Sequence, residues 1–398
     1  MSDTVQIKAK APVVEKKVEE KGLSNDVVTK YQTASTILAS VIAKLIPQIE
    51  EGKAIIDLCN EGDRLIEEGV AAVYNKKGVK ISKGIAFPTS LSVNNVVSHF
   101  SPLVSDTGVP VLAKGDVVKV QLGAQIDGYA SIHAETLVVG ATDASPVEDR
   151  KADAIEAAYQ AAQAAMRLIK VGGKGYDVTE GVQKVAKEFK VLPVEGQLSC
   201  QHLQNTPDGP KRIIINPPVD QKREEYNKVF EEGEVYGIDV LITTSADGKA
   251  RTEEAKTTIY KKSDITYQLK MKTSRTTFAE IQKKAGAFPF TLRCLEEEKR
   301  ARMGVQEAVQ HGLLRPYEVV HTEKSSVVAQ FFFTLALLPA GPLLLSPSPV
   351  WYGSSKVKSA ESIKDEELKT LIASKLRVDK KKAKKAAKAA GEGEEKKE

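Results

Sequence analysis

An α+β fold of two similar halves is what this sequence predicts, and three observations carry the prediction. Helix-period segments precede strand-period segments twice along the chain, a two-residue turn joins one strand pair, and a long uncharged stretch near the end supplies further strands. With 398 residues, 41% of them hydrophobic and 28% charged, the chain can bury a large core.

Each element has its own signal. Met1–Gly22 is charged and poor in aromatics, and reads as a disordered arm. Ser24, Asn25 or Asp26 caps a helix that carries Tyr31, Ala34, Leu38, Val41, Ile42 and Leu45 at helical spacing. Ile55–Tyr74 repeats the amphipathic pattern. Between His99 and Gly140 the period changes to two: Asp116–Leu122 and Tyr129–Val139 read as strands, and Asp127-Gly128 supplies a hairpin turn. Alanine-rich Lys151–Ile169 is helical and ends before Gly172-Gly173, which lack the spacing and Lys-Ser/Thr ending of a phosphate loop. Val178–Phe189 is a further helix, and Val235–Thr244 is a strand that exits through Ser245-Ala246-Asp247-Gly248. Phe278–His311 returns to helix. Val327–Leu345 is uncharged for 19 residues, but Pro339-Ala340-Gly341-Pro342 interrupts it, so it reads as two buried strands and not as a membrane span. Asp365–Leu376 forms a last short helix. The expected organisation is a folded body over 23–350 with a small insertion around 265–315, an extension over 351–379, and a lysine-rich disordered tail over 380–398.

Charge and cysteine usage narrow the function classes. Cys59, Cys200 and Cys294 are odd in number and widely spaced, which predicts a reducing compartment without a disulfide frame or a cysteine-rich zinc site. The first residues lack the apolar run of a secretory signal. Of the net charge of +5, the tail alone holds eight lysines against four glutamates.

Several strings carry a resemblance. Phe87-Pro88-Thr89-Ser90-Leu91-Ser92-Val93-Asn94-Asn95, followed by His99-Phe100-Ser101-Pro102, resembles the substrate-side loop of type 2 methionine aminopeptidases. Lys119-Val120-Gln121-Leu122-Gly123, Glu232-Gly233-Glu234-Val235-Tyr236-Gly237-Ile238-Asp239 and Ala329-Gln330-Phe331-Phe332-Phe333-Thr334 resemble that family's metal-binding strands, in the family's order. Leu269-Lys270-Met271-Lys272-Thr273-Ser274-Arg275, Pro289-Phe290-Thr291-Leu292-Arg293 and Lys299–Val305 are similar to the branch of proliferation-associated, ErbB-receptor-binding and fungal curved-DNA-binding proteins. The resemblance covers roughly Asp26–Leu345 and implies the pita-bread fold, which agrees with the two halves read from periodicity.

It also implies where chemistry would sit. The family's enzymes hold two divalent cations with two aspartates, a histidine and two glutamates, and the matching positions here are Gln121, Ile132, Leu198, Asp239 and Phe332. Only Asp239 keeps a carboxylate, so the expectation is a non-catalytic chain without metal or cofactor. Hairpin geometry puts Gln121 and Ile132 on one sheet face as diagonal neighbours, with His133 and Glu135 on the other. Leu198 is the loosest match because Cys200 and His202 are close by, and the latter two read as surface-loop residues. His99 matches a substrate-contacting histidine; it either still binds a ligand or is a hydrogen-bonded, partly buried ring.

Two basic segments are candidate nucleic-acid or ribosome contacts. One is Lys380, Lys381, Lys382, Lys384, Lys385 and Lys388 in the tail, which equally suits a nuclear import receptor or a solubilising role. The other is Lys261, Lys262, Lys270, Lys272 and Arg275 with Tyr267 among them, a pattern that also suits an edge protected from aggregation. Proteins similar to this one associate with ribosomes, ribosomal precursors, structured RNA or curved DNA. The resemblance thus implies a partner in the large ribosomal subunit or its RNA, or in curved DNA, and traffic between the cytoplasm and the nucleus, nucleolus included. Residual peptidase activity at an unusual metal site is the third reading.

Overall fold

The computed structural model describes residues 23–76, 78, 81–218, 223–253 and 256–377. The N-terminal arm and the lysines Lys380, Lys381, Lys382, Lys384, Lys385 and Lys388 lie outside them.

The first half runs α1 (Asn25–Leu45), α2 (Ile55–Ala71), β1 (Lys83–Val93), β2 (Val117–Ile126) and β3 (Tyr129–Val138). The second runs α3 (Asp149–Leu168), α4 (Gly175–Glu188), β4 (Leu192–Pro193), β5 (Leu198–His202), β6 (Arg212–Ile214) and β7 (Val235–Thr243). After β8 (Arg251–Thr252) the chain builds a smaller unit: β9 (Ile259–Lys262), α5 (Lys272–Lys284), β10 (Phe290–Thr291), α6 (Glu298–Gln310) and β11 (Leu314–Tyr317). It then returns through β12 (Val320–His321), β13 (Val328–Leu338) and β14 (Gly341–Leu344) to α7 (Glu366–Ala373).

Local chemistry explains the boundaries. Ser24 caps α1 by accepting from the Val27 amide, freeing that N–H from its missing helical partner. Asp127 and Gly128 both take positive φ, +55° and +81°, the left-handed pair that a two-residue hairpin between β2 and β3 demands. Two expectations need correction. The string Phe87–Asn95 reads as part of a substrate-side loop, but its residues up to Val93 belong to an eleven-residue strand, Lys83–Val93. Its signal is masked by Pro88, which the strand tolerates because β1 is the sheet edge and its register against β2 shifts on both sides of Phe87. The helical run Phe278–His311 is two helices, α5 starting earlier at Lys272 and α6 at Glu298, parted where Gly286 takes φ +60° and Pro289 removes a donor.

One mixed-order sheet joins the halves, in the order β1-β2-β3-β13-β7-β5-β6, with β14 on β13 and β4 on β7. The last long strand therefore sits in the middle. On its second-half side β13 forms a continuous ladder with β7, from Val328↔Thr243 to Ala336↔Val235. On the other side two threonines do the stitching. Thr136 Oγ1 donates to the Gln330 carbonyl and accepts from the Gln330 amide, at 2.8 and 2.7 Å. Thr334 Oγ1 does the same with the Ile132 carbonyl and amide, at 2.9 and 3.0 Å.

Helices α1 to α4 cover one face of this sheet and bury the main core, including Leu38, Ile42, Ile66, Val118, Leu122, Ile155, Val240 and Phe331. His133 and Glu135 point into that side, as the hairpin reading requires, and both are fully buried. The Glu135 carboxylate accepts from the Val350 and Trp351 amides, which pins the start of the C-terminal extension. The extension then crosses α3 and α4, held by Ser359 on Asp153 at 2.7 Å and by Lys190 on Glu361.

The unit between Ile259 and Tyr317 has a separate hydrophobic cluster around Leu269, Ile281, Phe290, Leu292, Val305 and Leu314. Arg293 ties it to the body, donating to Asp63 and Ser101 at 2.5 Å each and to the carbonyls of Pro102 and Thr89. Among the described residues no helix is long and apolar enough to cross a membrane.

Candidate functional site

The face of the sheet turned away from α1 to α4 holds the five positions singled out by resemblance. Register brings them together. Gln121 stands opposite Ala134 and Gly123 opposite Ile132, so Gln121 and Ile132 are diagonal neighbours. Phe332 is paired with Ala134 on one side and with Asp239 on the other. On β5 Cys200 faces Gly237, which sets Leu198 level with Asp239, and Ser199 Oγ accepts from the Asp239 amide at 2.9 Å.

What gathers there is largely apolar. Phe87, Ile132, Ala134, Ile259 and Phe332 form one buried cluster with Tyr317 packed against it. Where the enzymes of the resemblance need charged oxygens, a phenyl ring and a sec-butyl group fill the space. Asp239 is the remaining carboxylate of the five, and Gln330 Nε2 donates to its Oδ1 at 2.8 Å. Burial pushes the Asp239 carboxyl up to about 7, opposed by that hydrogen bond. Gln330 also reaches the Gln121 amide oxygen at 3.5 Å. An amide pair and one reluctant acid cannot replace the charge that two divalent cations require. Among the described residues no group of three or more His, Cys, Asp and Glu side chains could hold a metal ion.

His202 departs from its surface-loop reading. It lies on β5, only 3% exposed, with its ring stacked on Phe332 at 6.3 Å and Nδ1 3.3 Å from the Ala130 carbonyl. Cys200 is half-buried on the same strand and is likewise no loop residue. Desolvation lowers the His202 imidazole to about 4, so it is neutral at physiological pH. His99 sits at the mouth with φ +67°, its ring between Phe87 at 5.8 Å and Tyr317 at 5.2 Å, and Nδ1 3.2 Å from the Glu318 carbonyl. Desolvation lowers it to about 4 as well. Gly237 makes room for this packing: a Cβ there would lie 2.3 Å from His202 Nε2 and 2.7 Å from Phe332 Cζ. Gly237→Ala is therefore expected to cost about 1–3 kcal/mol through overpacking, measured as a lower urea midpoint with unchanged m-value.

The second candidate surface is only partly assembled. Lys261 is buried and paired with Asp208, which removes it from any solvent-facing contact; the alternating strand β9 turns its side chain inward. Lys270, Lys272 and Arg275 are exposed and Lys262 is half-exposed. Arg275 also donates to the Leu269 and Lys270 carbonyls, and Glu307 accepts from the Lys270 and Met271 amides ahead of α5. One face of Tyr267 is taken by His311, stacked at 3.7 Å. Across residues 259–317 there are twelve Lys and Arg against six Asp and Glu, so this unit carries a positive excess that the rest of the body does not.

Sequence reading missed Gln330, Phe87 and Tyr317 as pocket residues. Period two supplied a usable signal for the first, since Gln330 shares a strand face with Phe332.

The sequence model of metallopeptidase family M24 matches residues 29–256, more than half of the chain. The chain belongs to metallopeptidase family M24. This M24 chain is 42% identical to the curved DNA-binding protein of Schizosaccharomyces pombe over 92% of its own length and 96% of that protein's. It is 43% identical to ErbB-3 binding protein 1 of Arabidopsis thaliana, over 80% and 79% of the two chains. Among solved structures, a thermophilic Arx1 superposes with a TM-score of 0.83 at 32% identity, covering 90% of this chain and all of the other. The branch and the pita-bread fold implied by the sequence strings are thereby those of this M24 chain. The hydrolytic metal centre that gives the family its name does not fit the side chains at Gln121, Ile132, Leu198 and Phe332.

Proposed function

We propose that this M24 chain is a non-catalytic binding protein that docks on the large ribosomal subunit or its RNA, in ribosome biogenesis or translation, and works in both nucleus and cytoplasm. The observation that carries the non-catalytic part is Phe332, whose ring occupies the place of a bridging carboxylate amid Ile132, Phe87 and Ile259. Support for the partner comes from charge. The exposed cations Lys270, Lys272 and Arg275, the half-exposed Lys262 and the tail lysines can meet several phosphates with little sequence choice, and the release of counterions makes such binding steeply salt-dependent. The name of the fission-yeast relative favours a second reading, binding to curved DNA through the same cations.

Sedimentation with purified large ribosomal subunits tests the first reading. The full chain is expected to co-sediment at low and near-physiological salt, and a chain stopped at Val378 to do so more weakly. Absence of co-sedimentation at low salt overturns it. Competition between ribosomal RNA and curved duplex DNA then separates the two readings, because only the preferred polymer displaces the protein at stoichiometric amounts. Methionine release from a short peptide by the protein with stoichiometric bound metal would overturn the non-catalytic reading.

A further inference from the structure

A cavity of about 350 Å³ lies between the start of α2, the end of β1, the loop 106–110 and β12, and none of the five metal-site positions lines it. Backbone hydrogen bonds hold its walls. The Leu112 amide donates to the Lys53 carbonyl at 2.9 Å and the Gly52 amide to the Leu112 carbonyl at 2.8 Å, which ties the loop to the entry of α2. The Val97 amide donates to the Val320 carbonyl at 2.8 Å and the Thr322 amide to the Asn95 carbonyl at 2.9 Å, which ties the segment after β1 to β12. The space is therefore preformed. Its walls are mostly apolar: Ile55 is buried, and Val93, Val96, Phe100 and Val109 are each half-buried around it.

Two polar groups stand on these walls without an acceptor to match. His321 lines the cavity, and its ring makes no hydrogen bond among the described residues; Nδ1 is shut away from solvent, which leaves Nε2 as the nitrogen a ligand can reach. Desolvation lowers its imidazole, against the pull of Glu253, so the ring is neutral at physiological pH and donates through a single N–H. Lys256 stands at the rim with its side chain 67% exposed. The acid beside it, Asp106, is 3.9 Å away and is already held by Arg302 and by the Leu103 amide. The lining thus offers a cation and a donor beside apolar surface.

From this geometry we propose that the cavity binds an aromatic carboxylate, its ring packed on Phe100, Val93 and Val96 and its carboxylate accepting from Lys256 and His321. At about 350 Å³ the cavity is near the small end of ligand pockets, roughly 300–1,000 Å³, which limits the guest to one ring system on a short acid chain. Two sources carry that chemistry: a free arylalkanoic acid, and the C-terminal aromatic residue of a peptide whose preceding residues stay outside. The site is independent of ribosome docking, because it uses neither Lys262–Arg275 nor the tail.

Isothermal titration of the full chain with 3-phenylpropionate, and with an N-acetylated Gly-Ser-Gly-Phe peptide bearing a free C-terminus, tests it. At least one of the two is expected to bind, and its amide to bind about tenfold more weakly, the order of one charge-assisted hydrogen bond. Lys256→Gln, at an exposed position, is expected to bring the acid close to the affinity of the amide. Val96→Trp, which fills the cavity from a half-buried position, is expected to abolish binding. Unchanged urea midpoints check that both variants fold. A peptide that binds more tightly than the free acid identifies chain ends as the source, and the reverse order a free acid; either result supports the site. No binding of either probe, equal affinity for acid and amide, or binding that survives Val96→Trp in a folded protein overturns the proposal.

Discussion

Replacing Arg293 by methionine is expected to destabilise the protein by about 3–5 kcal/mol, the cost of leaving a buried partner charge uncompensated. Arg293 is 5% exposed and Asp63 15%, and the guanidinium also satisfies Ser101 and the carbonyls of Pro102 and Thr89. Loss of one side chain thus leaves the Asp63 charge without its counter-ion and the Pro102 carbonyl without its donor, while the Ser101 hydroxyl and the Thr89 carbonyl keep the bond between them. Since Arg293 joins the unit 259–317 to the body, proteolysis is expected to cut first inside that unit while the main sheet stays intact. Adding Asp63→Asn should recover part of the loss by removing the stranded charge. A double variant as unstable as the single one would show that packing, not charge, sets the cost.

Asp239→Asn is the second large effect, and it has a pH signature. Burial raises the folded-state carboxyl from 3.8 to about 7, so between those values the native protein binds a proton that the unfolded chain releases. Stability is accordingly full near pH 4, falls as pH rises through this window, and levels off above it. At ~1.4 kcal/mol per pKa unit the fall amounts to at most about 4 kcal/mol. Asparagine keeps an oxygen for Gln330 and never ionises. Urea unfolding should show the variant more stable than the native protein at pH 8, with the difference shrinking towards pH 4. A difference that does not change with pH would place the titration elsewhere.

How much of this was legible beforehand varied with the physics of each element. The hairpin at Asp127-Gly128 and the face shared by Gln121 and Ile132 follow from local turn chemistry and period two, which tertiary packing leaves alone. Strand β1 was hidden because Pro88 argues against a strand unless its edge position is known, and edge position is set by the whole sheet. His202 was misjudged for a similar reason: its burial comes from β5 pairing with β7, and nothing near it in sequence announces that pairing. Lys261 failed as a surface cation because its partner Asp208 is 53 residues away.

The place of β13 has a consequence for biosynthesis. It is the last long strand to leave the ribosome, yet it lies between β3 and β7, so until Leu338 has emerged both remain unpaired sheet edges. The halves cannot fold to completion one after the other; each waits for a segment nearly 200 residues downstream of β3, a separation that slows folding. Any nascent or truncated form ending before Val328 exposes two long apolar edges at once, and is the form of this protein most prone to aggregate.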